Sequence, residues 1–258
     1  MKFSLKDLAE PLIFFAALLA LWEILVALIR IPAFILPPPQ DLYTSFVSKF
    51  PIITHHAVIT FGEALGGFAL SFFLGVGFAI CVVYSRHLQN TLYPLIVILY
   101  AMPKSAFAPL MVIWIGYGLF SKMAIAFLVA FFPIVVNTVV GLKEVEPELL
   151  DLARINRASQ LDVFRKIRLP NSLPYMFAGI KVAIVLSVTG AIVAEFVAAN
   201  EGLGYLILQA NYSLDTAFAL VNLFILALVS LGLFVAVDAL QKKVAPWSAE
   251  VRQIEGAF

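Results

Sequence analysis

Charged residues are scarce in this chain. Only 13% of its 258 residues are Asp, Glu, Lys or Arg, whereas about a quarter are charged in a soluble globular domain. The formal net charge is +1, so the chain lacks the basic excess that attracts nucleic acid. The composition therefore excludes an ordinary soluble domain and a nucleic-acid-binding protein.

Residues suited to covalent or metal chemistry are equally few. Cys81, in an apolar run, is the single cysteine, and one cysteine cannot form a disulfide within the chain. The histidines are His55, His56 and His87, and an adjacent pair without a third ligand is a weak metal signal. We therefore predict no catalytic residues, no metal site and no cofactor in this chain, and clustered residues typical of an integral-membrane enzyme are missing.

Apolar residues, by contrast, make up 62% of the chain, and its mean hydropathy is +1.00. Six stretches approach the roughly 20 apolar residues that cross the hydrocarbon core of a membrane, and backbone groups in lipid must pair within helices. We predict an all-α integral membrane protein, a six-helix transmembrane bundle forming one domain over residues 1–258. The spans are expected at about 11–29, 64–84, 92–117, 122–142, 173–198 and 217–240. A cleaved signal peptide is the alternative for the first stretch.

Prolines affect two parts of the predicted helical arrangement. Pro103 and Pro109 predict a kinked or broken third span, because proline removes a helical hydrogen bond. After three consecutive prolines, residues 41–50 have a short amphipathic pattern that indicates either an interfacial helix or a solvated loop.

The distribution of Lys and Arg predicts the orientation. With both termini in the cytoplasm, twelve basic residues fall on the cytoplasmic side and three on the other, as the positive-inside bias requires. The cytoplasmic set is Lys2, Lys6, Arg86, Lys143, Arg154, Arg157, Arg165, Lys166, Arg168, Lys242, Lys243 and Arg252, and the opposite set is Arg30, Lys49 and Lys122.

One polar, charge-dense segment, residues 144–170, separates the fourth and fifth spans; we call it the polar segment. Pro147 suits the first turn of a helix, and Ser159 with Asp162 three positions later forms a capping-box-like pair. Pro170 is expected to stop the second helix. The pattern predicts two short helices with a bend near Arg157, which either dock into a partner's groove or lie on anionic headgroups.

Residues 151–170 of this segment have a specific resemblance, in which Ile167, Leu169 and Pro170 match the end of the motif with its spacing intact. They are similar to the cytoplasmic coupling loop of binding-protein-dependent ABC importer permeases, in which Glu-Ala-Ala, three residues, Gly and nine residues precede Ile-x-Leu-Pro. Asp151, Leu152 and Ala153 occupy the first positions, and Arg157 stands where the family has glycine. If the family turn needs a left-handed residue there, arginine costs on the order of 1 kcal/mol.

The resemblance extends to FLVAFFPIVVNTVVGLKEVEPELL (127–150), VAEFVAANEGLGYLI (193–207) and AMPKSAFAPLMVIWIG (101–116). These segments look like the nitrate, sulfonate, taurine and thiamine-precursor branch of the permeases. The resemblance implies a type I importer permease fold whose ATPase-docking residues are Asp151, Leu152, Ala153, Arg157, Ala158, Ser159, Phe164, Ile167, Leu169 and Pro170.

The same resemblance implies the partners. They are a second permease copy in a homodimer, two ATPase subunits, an extracytoplasmic solute-binding protein and the lipid of a bacterial cytoplasmic membrane. No GxxxxGK[ST] phosphate-binding loop is present, so ATP and Mg²⁺ are expected on the ATPase. The substrate is expected to be a small organic anion such as a sulfonate or taurine, nitrate, or a vitamin precursor. The main alternative is an ion-gradient-driven secondary transporter, although no convincing inverted repeat is visible.

Polar residues inside the spans are candidates for the substrate pathway, because they are costly in lipid. For Glu195, gating and a structural hydrogen bond both remain open, and for Lys104 so do neutralising an anion and capping local carbonyls. Glu23, Glu63 and Asp238 are interpreted as interhelical contacts. The pathway candidates are Tyr100, Lys104, Asn137, Glu195 and Asn200.

Overall fold

The structure, a computed structural model, describes residues 5–248, with side chains from residue 13 onward except at position 198. Lys2 and Arg252 of the charge count lie outside this range, as does the side chain of Lys6. The described chain is all helical. Its helices are α1 Leu5–Ile29, α2 Pro39–Ser48, α3 Phe50–Tyr84, α4 Arg86–Ala101, α5 Ala108–Ile115, α6 Leu119–Lys143, α7 Pro147–Ile155, α8 Gln160–Val163, α9 Leu169–Ala198, α10 Leu203–Tyr212 and α11 Thr216–Val244.

Four described helices are long and apolar enough to cross a membrane, namely α3, α6, α9 and α11. A fifth span is counted if α4 and the helical turns after it are taken together, although they bend by 91°. The part of α1 whose side chains are described, Ile13–Ile29, is apolar but shorter than these four helices. Within residues 5–248 the structure thus supports four to five spans, and the count of six remains a prediction.

The break in the third span is where the prolines predict it. α4 ends at Ala101, a 3₁₀ turn Lys104–Phe107 follows Pro103, and α5 begins at Ala108 with Pro109 in its first turn. Pro109 is tolerated there because the first helical N–H groups have no intrahelical partner. Residues 41–48 of the amphipathic stretch lie in the helix α2, and its last residue, Phe50, begins α3.

α3 begins at Phe50, well before the second span predicted at about residue 64, so His55 and His56 lie inside this helix. Lys122, the predicted start of the fourth span, lies buried in the first turn of α6. One prediction about a helix end is wrong. Pro170 stops no helix; it lies in the first turn of α9, after a π-helical turn at Phe164–Arg168. The wider turn keeps the chain helical although proline donates no hydrogen bond.

The core of the bundle consists of α3, α6 and α9, with α10 and α11 packed against α9. Ala126 of α6 is fully buried between two glycines. A Cβ atom on Gly67 of α3 would clash with its side chain, and one on Gly190 of α9 would lie 2.7 Å from its Cα. Small residues let the helices approach closely where lipid supplies no hydrophobic force between them.

The loops opposite the polar segment are joined by an ion pair. Lys49, between α2 and α3, donates to Asp215 over 2.6 Å, and Asp215 also accepts from the amide of Phe218 at the start of α11. Burial raises the pKa of Asp215, but these two hydrogen bonds and the Lys49 charge outweigh it and hold the pKa below its usual value. The pair fixes the start of α11 against α2.

The bend in the polar segment is a left-handed helix cap centred on Arg157. Its φ is +52°, its amide donates to the Arg154 carbonyl over 3.0 Å, and the Ala158 amide donates to the Ala153 carbonyl over 2.9 Å. This pair of bonds is the Schellman arrangement, in which glycine is the usual residue at the left-handed position. Arg157 thus adopts the left-handed conformation at the position where the resembling family has glycine.

We predict that Arg157→Gly stabilises this cap. The left-handed conformation costs a non-glycine residue roughly 1–2 kcal/mol, and glycine loses about 0.5–1 kcal/mol more backbone entropy, so the net gain is about 0.5–1 kcal/mol. Hydrogen exchange of the Ala158 amide should slow by a few fold. Arg157→Val should accelerate it, and equal rates in all three proteins would contradict the strain.

Candidate functional site

A group of buried polar residues links four helices at the end of the bundle away from the polar segment. Glu195 of α9 is 1% exposed, and both of its oxygens accept hydrogen bonds: Oε1 from the Thr60 hydroxyl over 2.6 Å and Oε2 from the Gly204 amide over 2.5 Å. Thr60 lies on α3 and Gly204 on α10. The carboxylate therefore connects α3, α9 and α10.

Three amides at the start of α10 donate to side chains. Gly202, with φ +114°, donates its amide to His56 Nδ1 over 2.8 Å, and Leu203 donates to the Thr60 hydroxyl over 2.8 Å. With the bond from Gly204 to Glu195, three unpaired N–H groups of this helix end are filled. A Cβ on Gly202 would clash with the Glu195 carboxyl, so glycine is needed there for both its conformation and its size.

A buried ion pair lies beside this group. Lys122 of α6 donates to Glu63 Oε1 of α3, and the residues are 8% and 1% exposed. The carboxyl groups of Glu63 and Glu195 are neighbours and hydrogen-bond to each other, so two carboxyl groups share the surroundings of one ammonium.

These residues form the floor of a cavity of about 970 Å³ between α6, α9 and α10. Its walls contain tyrosines and amides, with apolar side chains between them. The lining is Ile59, Glu63, Tyr117, Gly118, Leu119, Lys122, Glu195, Phe196, Val197, Ala199, Asn200, Glu201, Tyr205, Leu208, Gln209 and Tyr212.

The structure brings together only some of the predicted pathway residues. Glu195 and Asn200 line the cavity. Tyr100 and Lys104 lie together elsewhere: Lys104 caps the Tyr100 carbonyl and its ammonium lies 4.6 Å from the Tyr100 ring centre. Asn137 donates to the Pro133 carbonyl over 2.8 Å at the contact between α6 and α9. In this structure Lys104 and Asn137 therefore make local contacts.

The other intramembrane acids make the expected interhelical contacts. Glu63 pairs with Lys122, and Asp238 of α11 pairs with Lys181 of α9 over 2.7 Å. Glu23 of α1 accepts from Gln40 of α2 over 3.4 Å. Within the described residues no group of three His, Cys, Asp or Glu side chains is arranged to hold a metal ion.

Sequence reasoning missed α10 and most of the cavity. The signal was present, because Leu203, Leu206, Ile207 and Ala210 have the i, i+3, i+4, i+7 spacing of a helix with one buried face, and all four are buried. The tyrosines of the walls had no such signal, since they come from separate parts of the chain.

At the opposite end of the bundle, the polar segment forms two short helices, α7 and α8, joined by a bend. Contacts near the ends of the segment hold it to the bundle. The Ser159 hydroxyl accepts from the Asp162 amide over 3.1 Å, which confirms the predicted cap. Arg168 donates to the Leu142 carbonyl over 3.1 Å, and Asn171 donates to the Glu144 carbonyl. Phe164 packs edge-on against Tyr84. These contacts attach the segment to the ends of α3 and α6.

The ten predicted docking residues differ in exposure. Five are on the surface, Asp151, Leu152, Arg157, Ala158 and Ser159; four are half-buried, Phe164, Ile167, Leu169 and Pro170. Ala153 is 8% exposed, so its side chain supports the segment from inside. Exposed apolar residues that the sequence reasoning did not select, Ile155 and Leu161, add to this surface.

A bundle of long apolar helices with a polar cavity at one end and an exposed, charge-rich segment at the other is typical of a membrane-embedded transport protein. Residues 67–249 match the family described as the binding-protein-dependent transport system inner membrane component. The chain belongs to this family, the permease subunits of ABC importers.

Individual relatives support this family assignment. The chain is 36% identical to the riboflavin transport system permease protein RibX of Chloroflexus aurantiacus, over 90% of this chain and 87% of that protein. It is 33% identical to the formylaminopyrimidine transport permease protein ThiX of Halalkalibacterium halodurans, over 96% and 98%. The fold is similar to that of the MetNI methionine ABC transporter in inward-facing conformations, with a TM-score of 0.67 and 18% identity over 76% of this chain and 98% of that one. The secondary-transporter alternative finds no support among these relatives.

We predict that Lys122→Met strongly destabilises the permease. Removing one partner of a buried ion pair costs about 3–5 kcal/mol because the other group, here Glu63, stays buried without its counter-charge. Thermal unfolding of the purified protein in detergent should show the loss.

Two further variants test the cause. Adding Glu63→Gln to Lys122→Met should recover most of the stability. Lys166→Met, which breaks the exposed pair between Lys166 and Asp162, should change it by less than about 1 kcal/mol. A Lys122→Met protein as stable as the Lys166→Met protein would contradict the role of the buried pair.

Proposed function

We propose that this permease works as a homodimer of six-span subunits, driven by two separate ATPase subunits that dock on its polar segments. A solute-binding protein delivers the substrate at the end that holds the cavity. Both termini and the polar segment lie in the cytoplasm of a bacterium, and the whole of residues 1–258 forms one domain. The transported solute is a small organic anion such as a sulfonate or taurine, nitrate, or a vitamin precursor.

The observation that supports ATPase docking is the exposed apolar surface of the polar segment. Ile155 is 79% exposed and Leu161 is 56% exposed, and both are in a segment rich in charge. Beside them is a groove of about 630 Å³ formed by α7, the bend and α8, which includes Leu152, Asn156 and Val163. Apolar side chains presented from a short amphipathic helix suit a helix-in-groove contact.

The helix α9 connects the polar segment mechanically to the cavity. α9 has 30 residues and is therefore roughly 45 Å long; it begins where the polar segment ends and contains Glu195 near its far end. A displacement of the segment by closing ATPase subunits would move α9 as a rigid body. In this mechanism the helix transmits motion from the site of ATP hydrolysis to the cavity.

We predict that Ile155→Asp and Leu161→Asp each reduce co-purification of the ATPase by at least about tenfold, because losing one central apolar interface contact costs about 1.4 kcal/mol or more. The amount of permease in the membrane should not change, since both side chains are exposed. The measurement is the ATPase-to-permease ratio after affinity purification of the complex.

The matched control is Leu214→Asn. Leu214 is also exposed and apolar, but it lies at the other end of the bundle with φ +56°, a conformation that Asn tolerates. This variant should retain the ATPase. Full retention by the two aspartate variants would contradict docking on this surface, and uptake by vesicles without any ATPase, driven by an ion gradient, would contradict the proposed function.

A further inference from the structure

The break between α4 and α5 lies at the middle depth of the bundle. The Lys104 ammonium is 5.3 Å from the ring centre of Phe132, and the Tyr100 ring stacks on the same ring at 6.1 Å. Phe132 is near the middle of α6, which has 25 residues and is therefore roughly 37 Å long. The break is thus inside the hydrocarbon layer, which is about 30 Å thick.

The backbone at this break is open on one side. Met102 and Pro103 are extended, with ψ angles of 143° and 98°. Both residues are exposed, as are Ala101 and Ser105. Non-helical backbone at membrane depth is tolerated only where protein covers it or where it lines a water-filled cavity. Another chain or water must therefore lie against this side, because lipid cannot satisfy it.

Lys104 adds a charge that lipid cannot solvate. Its ammonium donates to the Tyr100 carbonyl and lies over the rings of Tyr100 and Phe132. Among the described residues it forms no ion pair with a carboxylate, and its side chain is only half-buried. Lysines at this depth face the interior of an assembly or a water-filled cavity. The charge and the open backbone thus make the same demand on this face.

A narrow exposed stripe on α9 passes the break. Between residues 175 and 196, every described residue of α9 is buried or half-buried except Tyr175, Val182, Thr189 and Phe196, which are seven residues apart. This is the repeat with which one helix faces another along its whole length. At 1.5 Å per residue the stripe is roughly 31 Å long, so it extends across the hydrocarbon layer.

The stripe connects the break to the cavity. Thr189 borders a pocket of about 270 Å³ together with Lys104 and Ser105. Phe196 lines the large cavity, and Tyr175 lies close to Gly141 at the other end of α6. The surface along this stripe, which we call the α9 groove, therefore leads from the cavity past Lys104 toward the polar segment.

The chain that covers the α9 groove has to be embedded in the membrane. In the proposed assembly the ATPase and the binding protein lie outside it, which leaves the second copy of the permease. Two copies related by a twofold axis present the same groove to each other. In a dry contact the two Lys104 ammonium groups would repel each other strongly, so water separates the grooves at this depth.

We propose that the α9 grooves of two copies together enclose the transport pathway, and that Lys104 is a charge barrier in it against inorganic cations. A fixed positive charge in a narrow passage of low dielectric constant repels small cations and leaves neutral and anionic solutes free to pass. The barrier limits ion leak while the importer cycles. This inference rests on the proposed function, in which two copies form the permease.

The test measures how fast charged thiol reagents modify a cysteine in the groove. Thr189→Cys is introduced together with Cys81→Ala, so that the permease has a single thiol. The reconstituted permease–ATPase complex, hydrolysing ATP, is treated with an anionic or a cationic methanethiosulfonate, and each rate is divided by that reagent's rate with 2-mercaptoethanol. On this scale the anionic reagent should react about tenfold faster. An anionic rate no higher than the cationic one, or no modification by either reagent, would overturn the inference.

Leu228→Cys in the same Cys81→Ala protein is the matched control. Leu228 is 62% exposed near the middle of α11, and its exposed neighbours Phe224 and Leu231 are also apolar, so this face is suited to lipid. Both reagents should modify this cysteine at least about tenfold more slowly than Thr189→Cys, because charged reagents are excluded from lipid. Equal rates at the two positions would refute a water-filled groove.

Variants of Lys104 identify the source of the preference. In the Thr189→Cys protein, Lys104→Gln should abolish the preference for the anionic reagent and Lys104→Arg should retain it. With Lys104 unaltered, the preference should be weaker at Tyr175→Cys, which lies roughly 21 Å further along α9. A preference that survives in Lys104→Gln, or that is as strong at Tyr175→Cys, belongs to another charge and would overturn the role of Lys104.

Cation leak measures the consequence for the membrane. Vesicles loaded with radioactive rubidium should retain it while the unaltered complex hydrolyses ATP, and should lose it several-fold faster with Lys104→Glu. Equal retention would overturn the barrier. An unmodified Thr189→Cys in a complex with ATP-dependent uptake would refute the groove and leave the importer intact, whereas a complex that contains a single permease copy would refute the proposed homodimer.

Discussion

The buried carboxyl group of Glu195 constrains the whole end of the molecule that contains the cavity. Because Glu195 is almost wholly buried, its carboxyl group must form its hydrogen bonds with the protein. Its two donors come from α3 and α10, so these helices cannot separate from α9 without leaving it unsatisfied. The Glu63 and Lys122 pair joins α3 to α6 in the same way. Since apolar side chains gain little by meeting one another in lipid, these polar contacts hold together helices that already pack closely at small residues.

The polar segment is held by different interactions. Its end is anchored by Arg168, which donates to the Leu142 carbonyl of α6, and its first residue, Glu144, accepts from Asn171 of α9. Its first half, with the Arg157 bend, is exposed and held mainly by its own cap. The anchored part continues directly into α9, and the exposed part is free for a partner. One continuous helix thus separates a surface suited to a soluble protein from a cavity suited to a small molecule.

Local sequence signals predicted local features correctly. Pro103 and Pro109 marked the break, Ser159 marked a helix start, and the glycine position occupied by Arg157 marked a left-handed turn. Each depends on residues within a few positions along the chain. The prediction that Pro170 ends a helix was wrong, because the π-helical turn before it lets the helix continue although proline has no N–H to donate. Such a turn depends on the contacts of the segment with α3 and α6. α10 was overlooked although its apolar spacing was regular.

The sequence by itself determined that lipid surrounds this protein, that its backbone is helical, and where its helices bend or are capped, because composition and neighbouring residues decide these properties. Only the tertiary structure decided which polar side chains satisfy one another. Glu195 lies 135 positions from Thr60 and Lys122 lies 59 positions from Glu63, and several other polar residues along the chain have the same chemistry. Close packing of the helices at small residues such as Gly67 and Gly190 selects these partners, and with them the charge and shape of the cavity.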